Sequence, residues 1–382
     1  MLLIKNGNVY LGAGRYESGW DILCEGENIK AIGPNLTADG ADIIDANQRD
    51  VYPGMVLALC SVGALCFSEF PSNDSNESVT PIVPHMNIRH AFDLRELKLQ
   101  RFGRAGITSY GLSPGANALI AGQMALIHVD GERTADVILA EKIAVKGNYT
   151  QTVKMTFKDK AGPQTRMSMY QLMDEAFRAA KEYLDKGDAE DKVYDESKEV
   201  LERLLKKEIP FIVRAHSFTD IDNVIEIAKK YDLNLVVAGA FGVEKAAETV
   251  MEQGYHVILG DSNSLMNGLK NKTCHETLID LYRKGLKLSI YSSGDDGYPN
   301  SYEQMLWVAA QMHSAGAEGY EIMDMMTINP ARALGVDHLV GSLEVGKKAD
   351  IIICKGNPVV RFDNFVDHTI VAGRRFFERT VN

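Results

Sequence analysis

Hydrophobic and polar positions at the two ends of the chain alternate in short runs that are typical of β-strands. Residues 2–10, 21–24, 28–32 and 41–44 follow this pattern near the start of the chain. Near the end, residues 349–354 predict a strand and residues 367–377 a hairpin. Each end alone is too small to bury a sheet face. We therefore expect residues 1–52 and 343–382 to form one composite β-sandwich domain.

Between these ends, apolar strand-like runs alternate with helix-like segments, which is the pattern of parallel βαβ units. Seven strands are predicted at residues 55–62, 107–112, 142–145, 210–215, 233–238, 256–259 and 287–292, with residues 124–128 as the candidate for an eighth. Helices are predicted at residues 169–184, 196–207, 220–231, 244–253, 274–284, 302–316 and 320–334. This count over about 290 residues predicts an α/β fold, a (β/α)₈ TIM barrel at residues 53–342. A doubly wound open sheet is the alternative, but no Gly-x-Gly-x-x-Gly follows the first strand.

Composition narrows the classes of function. The formal net charge of −11 disfavours nucleic acid and anionic membranes as partners. No run of 18 apolar residues predicts a membrane span, and the first residues lack the pattern of a signal peptide. The five cysteines form no Cys-x-x-Cys pair. We expect a cytoplasmic protein that binds a small molecule in the barrel mouth. Assembly into a homo-oligomer is compatible with this composition.

Four segments carry a more specific signal. They are residues 2–12 with 21–34, residues 44–46 with 51–56, Thr327-Ile328-Asn329-Pro330-Ala331-Arg332-Ala333-Leu334-Gly335, and Gly341-Ser342-Leu343-Glu344-Val345-Gly346-Lys347-Lys348-Ala349-Asp350. In this order they resemble the amidohydrolase superfamily, and its imidazolonepropionase-like branch in particular. The resemblance implies the barrel-plus-sandwich fold and an ancestry in metal-assisted hydrolysis of non-peptide C–N bonds.

The resemblance also implies a ligand set for zinc or another divalent metal. It comprises His-x-His at the end of the first barrel strand, a lysine or carboxylate, two further histidines and an aspartate on the eighth strand. Metal bound there lowers the pKa of a water molecule, and the aspartate commonly takes its proton. In this chain the two first-strand histidine positions are Leu59 and Ser61, and the position before them is Leu57. Strand alternation predicts that all three face the lumen and that Cys60 faces away.

At the remaining ligand positions, some of the expected residues are present and others are absent. The fifth strand keeps His216 after Arg214, whereas the sixth strand has Gly239 in place of its histidine. Asp295, with Asp296 beside it, reaches the aspartate position only if the strand contains a bulge. The alternative interpretation is that these acids cap the N-terminus of the following helix and have no catalytic role. Lys142 lies near the strand on which the family resemblance implies the metal-bridging lysine. Among the other histidines, His85 and His90 follow a rim loop, and we expect them nearest the pocket.

Three interpretations remain open. The first is a degenerate amidohydrolase-like protein that is catalytically impaired or inactive, a pseudoenzyme. The second is an active metal-dependent hydrolase with a reduced site at His216, Asp295 and Lys142. The third is a metal-free enzyme or small-molecule-binding protein that uses the same pocket. We expect no cofactor, because the first-strand and sixth-strand nitrogen donors are absent. The candidate pocket comprises Leu57, Leu59, Ser61, His216, Gly239 and Asp296, with Asp295 as the candidate catalytic residue.

Overall fold

The elements below come from a computed structural model that describes residues 1–66, 72–187, 192–260, 274–290, 301–361 and 363–379. The strands are β1 (Leu2–Tyr10), β2 (Tyr16–Glu25), β3 (Asn28–Gly33), β4 (Asp42–Asp45), β5 (Asp50–Pro53), β6 (Met55–Cys60), β7 (Leu65–Cys66), β8 (Ser72–Asn73), β9 (Ile107–Leu112), β10 (Ile120–His128), β11 (Ile138–Tyr149), β12 (Phe211–Ala215), β13 (Leu235–Gly239), β14 (His256–Leu259), β15 (Lys287–Ile290), β16 (Ile351–Cys354), β17 (Val366–Val371) and β18 (Arg374–Glu378).

The helices are α1 (Lys98–Arg104), α2 (Thr134–Val137), α3 (Gln151–Thr156), α4 (Arg166–Asp185), α5 (Glu196–Leu205), α6 (Phe218–Lys230), α7 (Ala247–Glu252), α8 (His275–Arg283), α9 (Ser301–Ser314), α10 (Gly319–Met326) and α11 (Ile328–Ala333). Two 3₁₀ helices lie at Ile88–Ala91 and Val243–Ala246. No helix in these ranges is long and apolar enough to cross a membrane.

The central sheet runs in the order β6-β9-β10-β11-β12-β13-β14-β15. Helices α10 and α11 pack against both end strands of this order, β6 and β15. The protein is a (β/α)₈ TIM barrel, as the sequence predicts. The predicted eighth strand is β10, which starts at Ile120 and runs antiparallel to both β9 and β11.

Side-chain packing distinguishes the two faces of the barrel strands. The ring of Phe211 on β12 packs edge-on against Phe177 of helix α4, with 5.4 Å between ring centroids. Odd-numbered positions of β12 therefore face the helices, and the even-numbered positions face the lumen. On β11, the Tyr149 hydroxyl donates to the carbonyl of Arg166 at the start of α4. Even-numbered positions near the end of β11 therefore also face the lumen.

Strands from both chain ends join one sheet in the order β18-β17-β16-β5-β1-β2-β3, with β4 paired to β1. The junction is the antiparallel pairing of β5 with β16, in which Pro53 stands opposite Ile351. Side chains from both ends form a second core cluster that includes Ile4, Ile22 and Ile353. This shared sheet supports the composite arrangement, while the domain boundaries at residues 1–52, 53–342 and 343–382 stay predictions.

The predicted helix at residues 320–334 is divided in two at Thr327. That residue has φ −125° and ψ −84°, outside the helical region, and separates α10 from α11. The cause is Pro330, which lacks the N–H that an uninterrupted helix needs but is tolerated in the first turn of a new one. The short helices α1, α2 and α3 were missed because each has seven residues or fewer, too few for a clear helical period.

A buried pair joins the barrel to the terminal sheet. His128 at the end of β10 and Asp350 before β16 are 2% and 3% exposed, and His128 Nε2 lies 2.9 Å from Asp350 Oδ2. The second carboxylate oxygen accepts the backbone N–H of Ala372 at 2.9 Å. Removing the carboxylate leaves both groups buried and without this acceptor, which is costly.

We predict that Asp350→Ala lowers the free energy of unfolding by about 3 kcal/mol, because it breaks a buried polar pair. Denaturant unfolding followed by circular dichroism measures the change. The control is Asp363→Ala, which removes a carboxylate that forms an exposed ion pair with Arg361 and should leave the stability almost unchanged. Equal effects of the two substitutions would contradict the prediction.

Candidate functional site

The carboxyl ends of β11 and β12 carry a polar set that faces the barrel lumen. Lys146 and Asn148 on β11 are fully buried, and Arg214 on β12 is 2% exposed. Asn148 is in register with Arg214. The chain leaves β12 through His216 because Ser217 and Asp220 form a capping box that starts α6. Strand register and this cap together place His216 at the mouth of the lumen.

A loop between β9 and β10, the capping loop (residues 113–119), is held over this polar set. Three lumen side chains donate to its backbone carbonyls: Ser61 Oγ to Ser113 at 2.9 Å, Lys146 Nζ to Pro114 at 3.4 Å, and Asn148 Nδ2 to Gly115 at 3.1 Å and Ala118 at 2.8 Å. The backbone N–H of Asn148 also donates to Leu119. Ser61 of the first barrel strand thus holds a loop of its own chain.

His216 has a specific partner. Arg214 Nε donates to His216 Nε2 at 2.9 Å. Because a guanidinium only donates, that imidazole nitrogen is the acceptor, and the ring is the neutral tautomer with its proton on Nδ1. The lone pair that would bind a metal is directed at a cation in this arrangement.

Gly239 explains how the ring of His216 fits. Its backbone has φ +79°, and a Cβ atom built there would lie 2.8 Å from His216 Cδ2. Position 239 therefore provides the space that His216 fills, and a side chain there would be strained and would meet the ring. The glycine at position 239 and the placement of the His216 ring are linked by this contact.

The structure shows that the lysine facing the lumen from the fourth barrel strand, β11, is not the predicted Lys142. Lys142 is exposed, with φ +55°, and its carbonyl accepts from Arg203. Lys146, four residues later on the same strand, is fully buried in the lumen. We missed it because the sequence predicted a strand ending at residue 145, whereas β11 continues to Tyr149. The alternation of Lys146 and Asn148 with Gly147 and Tyr149 was the signal available.

The pairing of the first barrel strand is irregular. Its register with β9 shifts between Leu57 and Cys60, and Leu57 is in register with Tyr110. The ring of Tyr110 packs edge-on against Phe102 of helix α1. Strict alternation from Leu57 to Ser61, which the sequence argument assumed, is therefore interrupted. The lumen position of Leu57 is not supported by this register.

A cleft of about 670 Å³ lies beside the capping loop at the rim of the barrel. Its lining includes residues 73–77, His90 and Pro114. The other rim histidine, His85, has its Nδ1 2.8 Å from Ser197 Oγ on helix α5 and does not line this cleft. Asp295 and Asp296 lie outside the described residues.

Comparison with known proteins agrees with this fold. The sequence model of the amidohydrolase family matches residues 128–376, which is more than half of the chain. The chain therefore belongs to the amidohydrolase family, whose members hydrolyse C–N bonds. No curated protein sequence matches it.

Solved structures share the fold over nearly the whole chain. An amidohydrolase from Thermotoga maritima MSB8 is 26% identical, with a TM-score of 0.89 over 99% of this chain and 100% of that one. Guanine deaminase of E. coli is 14% identical, with a TM-score of 0.52 over 100% of both chains. Atrazine chlorohydrolase TrzN from Arthrobacter aurescens TC1, complexed with zinc, is 16% identical, with a TM-score of 0.57 over 99% of this chain and 95% of that one.

The zinc complex overturns one expectation. The sequence predicts no cofactor, yet a protein of this fold was solved with zinc bound. The expectation is corrected: zinc is the cofactor to consider for this family. The expectation was wrong because missing donors at three positions do not by themselves exclude a cofactor.

The donor chemistry of the described residues decides whether they can hold zinc. Structural zinc takes four N, S or O donors and catalytic zinc about three plus water. Leu59 offers only hydrocarbon, Ser61 Oγ donates to a carbonyl, and His216 Nε2 accepts from Arg214. Within the described ranges, no group of three His, Cys, Asp or Glu side chains could hold a metal ion. These residues do not fit the family's zinc.

We predict that Gly239→Ala destabilises the protein by about 2 kcal/mol or more, because it adds both backbone strain and a contact with His216. The matched control is Gly242→Ala, since Gly242 has φ +82° with nothing within 4 Å of a built Cβ. Thermal or denaturant unfolding measures both, and the difference isolates the His216 contact. If both variants lose the same stability, His216 does not pack against position 239.

A second prediction concerns the capping loop. Asn148→Leu removes two hydrogen bonds to the loop and keeps the side-chain volume, so amide exchange in residues 113–119 should accelerate at least about tenfold. Hydrogen exchange with mass spectrometry measures this. Gln171→Leu, at an exposed position on helix α4, serves as the control and should leave the loop unchanged. Unaltered exchange in the Asn148 variant would show that these two bonds do not hold the loop.

Proposed function

We propose that this chain is an amidohydrolase-family protein in which hydrolysis of C–N bonds is impaired, and that it retains binding of a small polar molecule in the rim cleft. One observation carries the proposal: Arg214 donates to the Nε2 lone pair of His216 at 2.9 Å. Hydrolysis in this family needs a polarised water molecule close to such a nitrogen donor. A guanidinium at hydrogen-bond distance competes directly for that lone pair.

The capping loop gives independent support. Ser61 and Asn148, which face the lumen, are engaged with loop carbonyls rather than directed at a substrate. A substrate at the lumen mouth would have to displace this loop and break those bonds. Each such bond contributes on the order of 1 kcal/mol. A substrate that binds where the family's chemistry takes place therefore meets an added free-energy cost in this chain.

Binding is supported by the cleft beside the loop. Its volume of about 670 Å³ suits a small molecule. Its lining includes the polar residues Asp74, Asn76 and Glu77 and the apolar residues Ile88 and Phe92. Such a surface can orient a ligand that has hydrogen-bond donors and a flat or apolar part. The cytoplasmic location and a homo-oligomer stay predictions.

The test is an assay of the protein with equimolar zinc against guanine and a panel of cyclic amides. E. coli guanine deaminase provides the positive control for guanine. We expect turnover at the buffer rate, with no effect of a chelator. Turnover that requires zinc and that a chelator abolishes would overturn the proposal.

The double variant Leu59→His/Ser61→His tests the physical reason. We predict that activity stays at background, because His216 Nε2 still accepts from Arg214 and position 239 still lacks a donor. Circular dichroism confirms that the variant folds, and the zinc-loaded assay measures activity. Zinc-dependent turnover by this double variant would show that the first-strand donors alone were limiting.

A further inference from the structure

A second cavity lies at the opposite end of the barrel from the candidate site. Its volume is about 760 Å³, and Asn234, His256 and Lys287 line it from the amino ends of β13, β14 and β15. Arg332 of helix α11 and Asp337 also line this cavity. Because parallel strands begin at this edge, the cavity opens at the N-terminal end of the barrel, away from the rim cleft.

Two cations face this cavity. Lys287 Nζ donates to the carbonyl of Gly254 at 2.8 Å. Within the part of the chain that the structure describes, neither Lys287 nor Arg332 has a carboxylate within ion-pair distance. Asp337 is the one acidic residue of the lining. The lining therefore carries two positive charges against one negative charge.

Two further carboxylates near Arg332 have other partners. They line the neighbouring cavity between β1 and helices α10 and α11. Asp324 accepts from the Tyr10 hydroxyl at 2.7 Å, and Glu344 accepts from Ser342 Oγ at 2.6 Å and Lys347 Nζ at 3.1 Å. The positive charge of Arg332 favours the ionised form of both carboxylates. Neither forms an ion pair with Arg332 among the described residues, so the guanidinium donors of Arg332 remain open to a ligand.

His256 is the buried polar group of the cavity. It is 8% exposed, and its Nε2 has no hydrogen-bond partner among the described residues. Burial, together with the positive charges of Lys287 and Arg332, lowers the pKa of His256 to about 3. The imidazole is therefore neutral near pH 7, beside two cations and with one nitrogen unsatisfied. A buried polar atom without a partner is costly, and a ligand that pairs with it gains that energy.

We propose that this cavity binds a small molecule through a carboxylate or phosphate group. Lys287 and Arg332 supply the opposite charge. His256 Nε2 has almost no surface open to the cavity, so it donates to the ligand only when the imidazole ring turns, in the tautomer that carries its proton there. Charge-assisted bonds from a guanidinium and an ammonium to an oxyanion are the stronger class of protein hydrogen bonds. The remaining space and Asn234 accommodate the uncharged part of the ligand.

The test is calorimetric titration of the full-length protein at low ionic strength, with inorganic phosphate in one arm and succinate in the other. Saturable binding in either arm supports the site, and the arm that binds more tightly identifies the oxyanion class. The double variant Lys287→Gln/Arg332→Gln should weaken binding at least about tenfold, as expected for the loss of two charge-assisted bonds. Absence of saturable binding in both arms overturns the proposal.

Matched variants separate the site from general charge. Arg178→Gln/Lys181→Gln changes the net charge equally at exposed positions of helix α4 and should leave the affinity unchanged. His256→Phe keeps a ring, removes the unsatisfied nitrogen and should weaken binding about fivefold to tenfold. If His256 only fills space, this variant binds like the original protein. That result, or equal loss in the α4 variant, also overturns the proposal.

Discussion

Polar side chains enclosed in the barrel lumen are the constraint on which the rest of the site depends. Arg214 is always charged, and Lys146 and Asn148 are fully buried beside it. Removing such groups from water without partners costs several kcal/mol. Each must therefore be hydrogen-bonded, and the partners visible are the carbonyls of the capping loop and the imidazole of His216.

The need for hydrogen-bond partners explains why Arg214, His216 and Gly239 occur together, although the sequence alone shows no connection between them. Arg214 needs an acceptor, and His216 provides one when its ring is neutral. The ring lies where a Cβ atom at position 239 would be, so glycine there is compatible with the pair. Arg214 and Gly239 are thus two parts of one packing arrangement around His216. Membership in the amidohydrolase family describes the fold, while this arrangement describes what the lumen of this chain holds.

The two ends of the barrel differ in their electrostatic character. At the carboxyl ends of the strands, the lumen cation Arg214 is engaged with an internal acceptor. At the amino ends, Lys287 and Arg332 face a cavity together with a neutral, buried His256. A neutral imidazole close to two cations results from burial, because desolvation disfavours a third positive charge. The two ends are therefore suited to different ligands.

The sequence by itself determined the fold class, because strand alternation, helical period and four ordered motifs are local properties that depend on neighbouring residues. It also located His216 and Gly239, since each lies at a strand end. It could not find Lys146 or Asn148, because the end of β11 is set by pairing with β12 and not by local pattern. It likewise misjudged Leu57, since the irregular register between β6 and β9 arises from contact between strands distant in sequence. The contact of Arg214 with His216, the capping loop and the cavity around His256 were decided by tertiary structure alone. Each depends on which buried polar groups meet, and that requires the barrel to be closed.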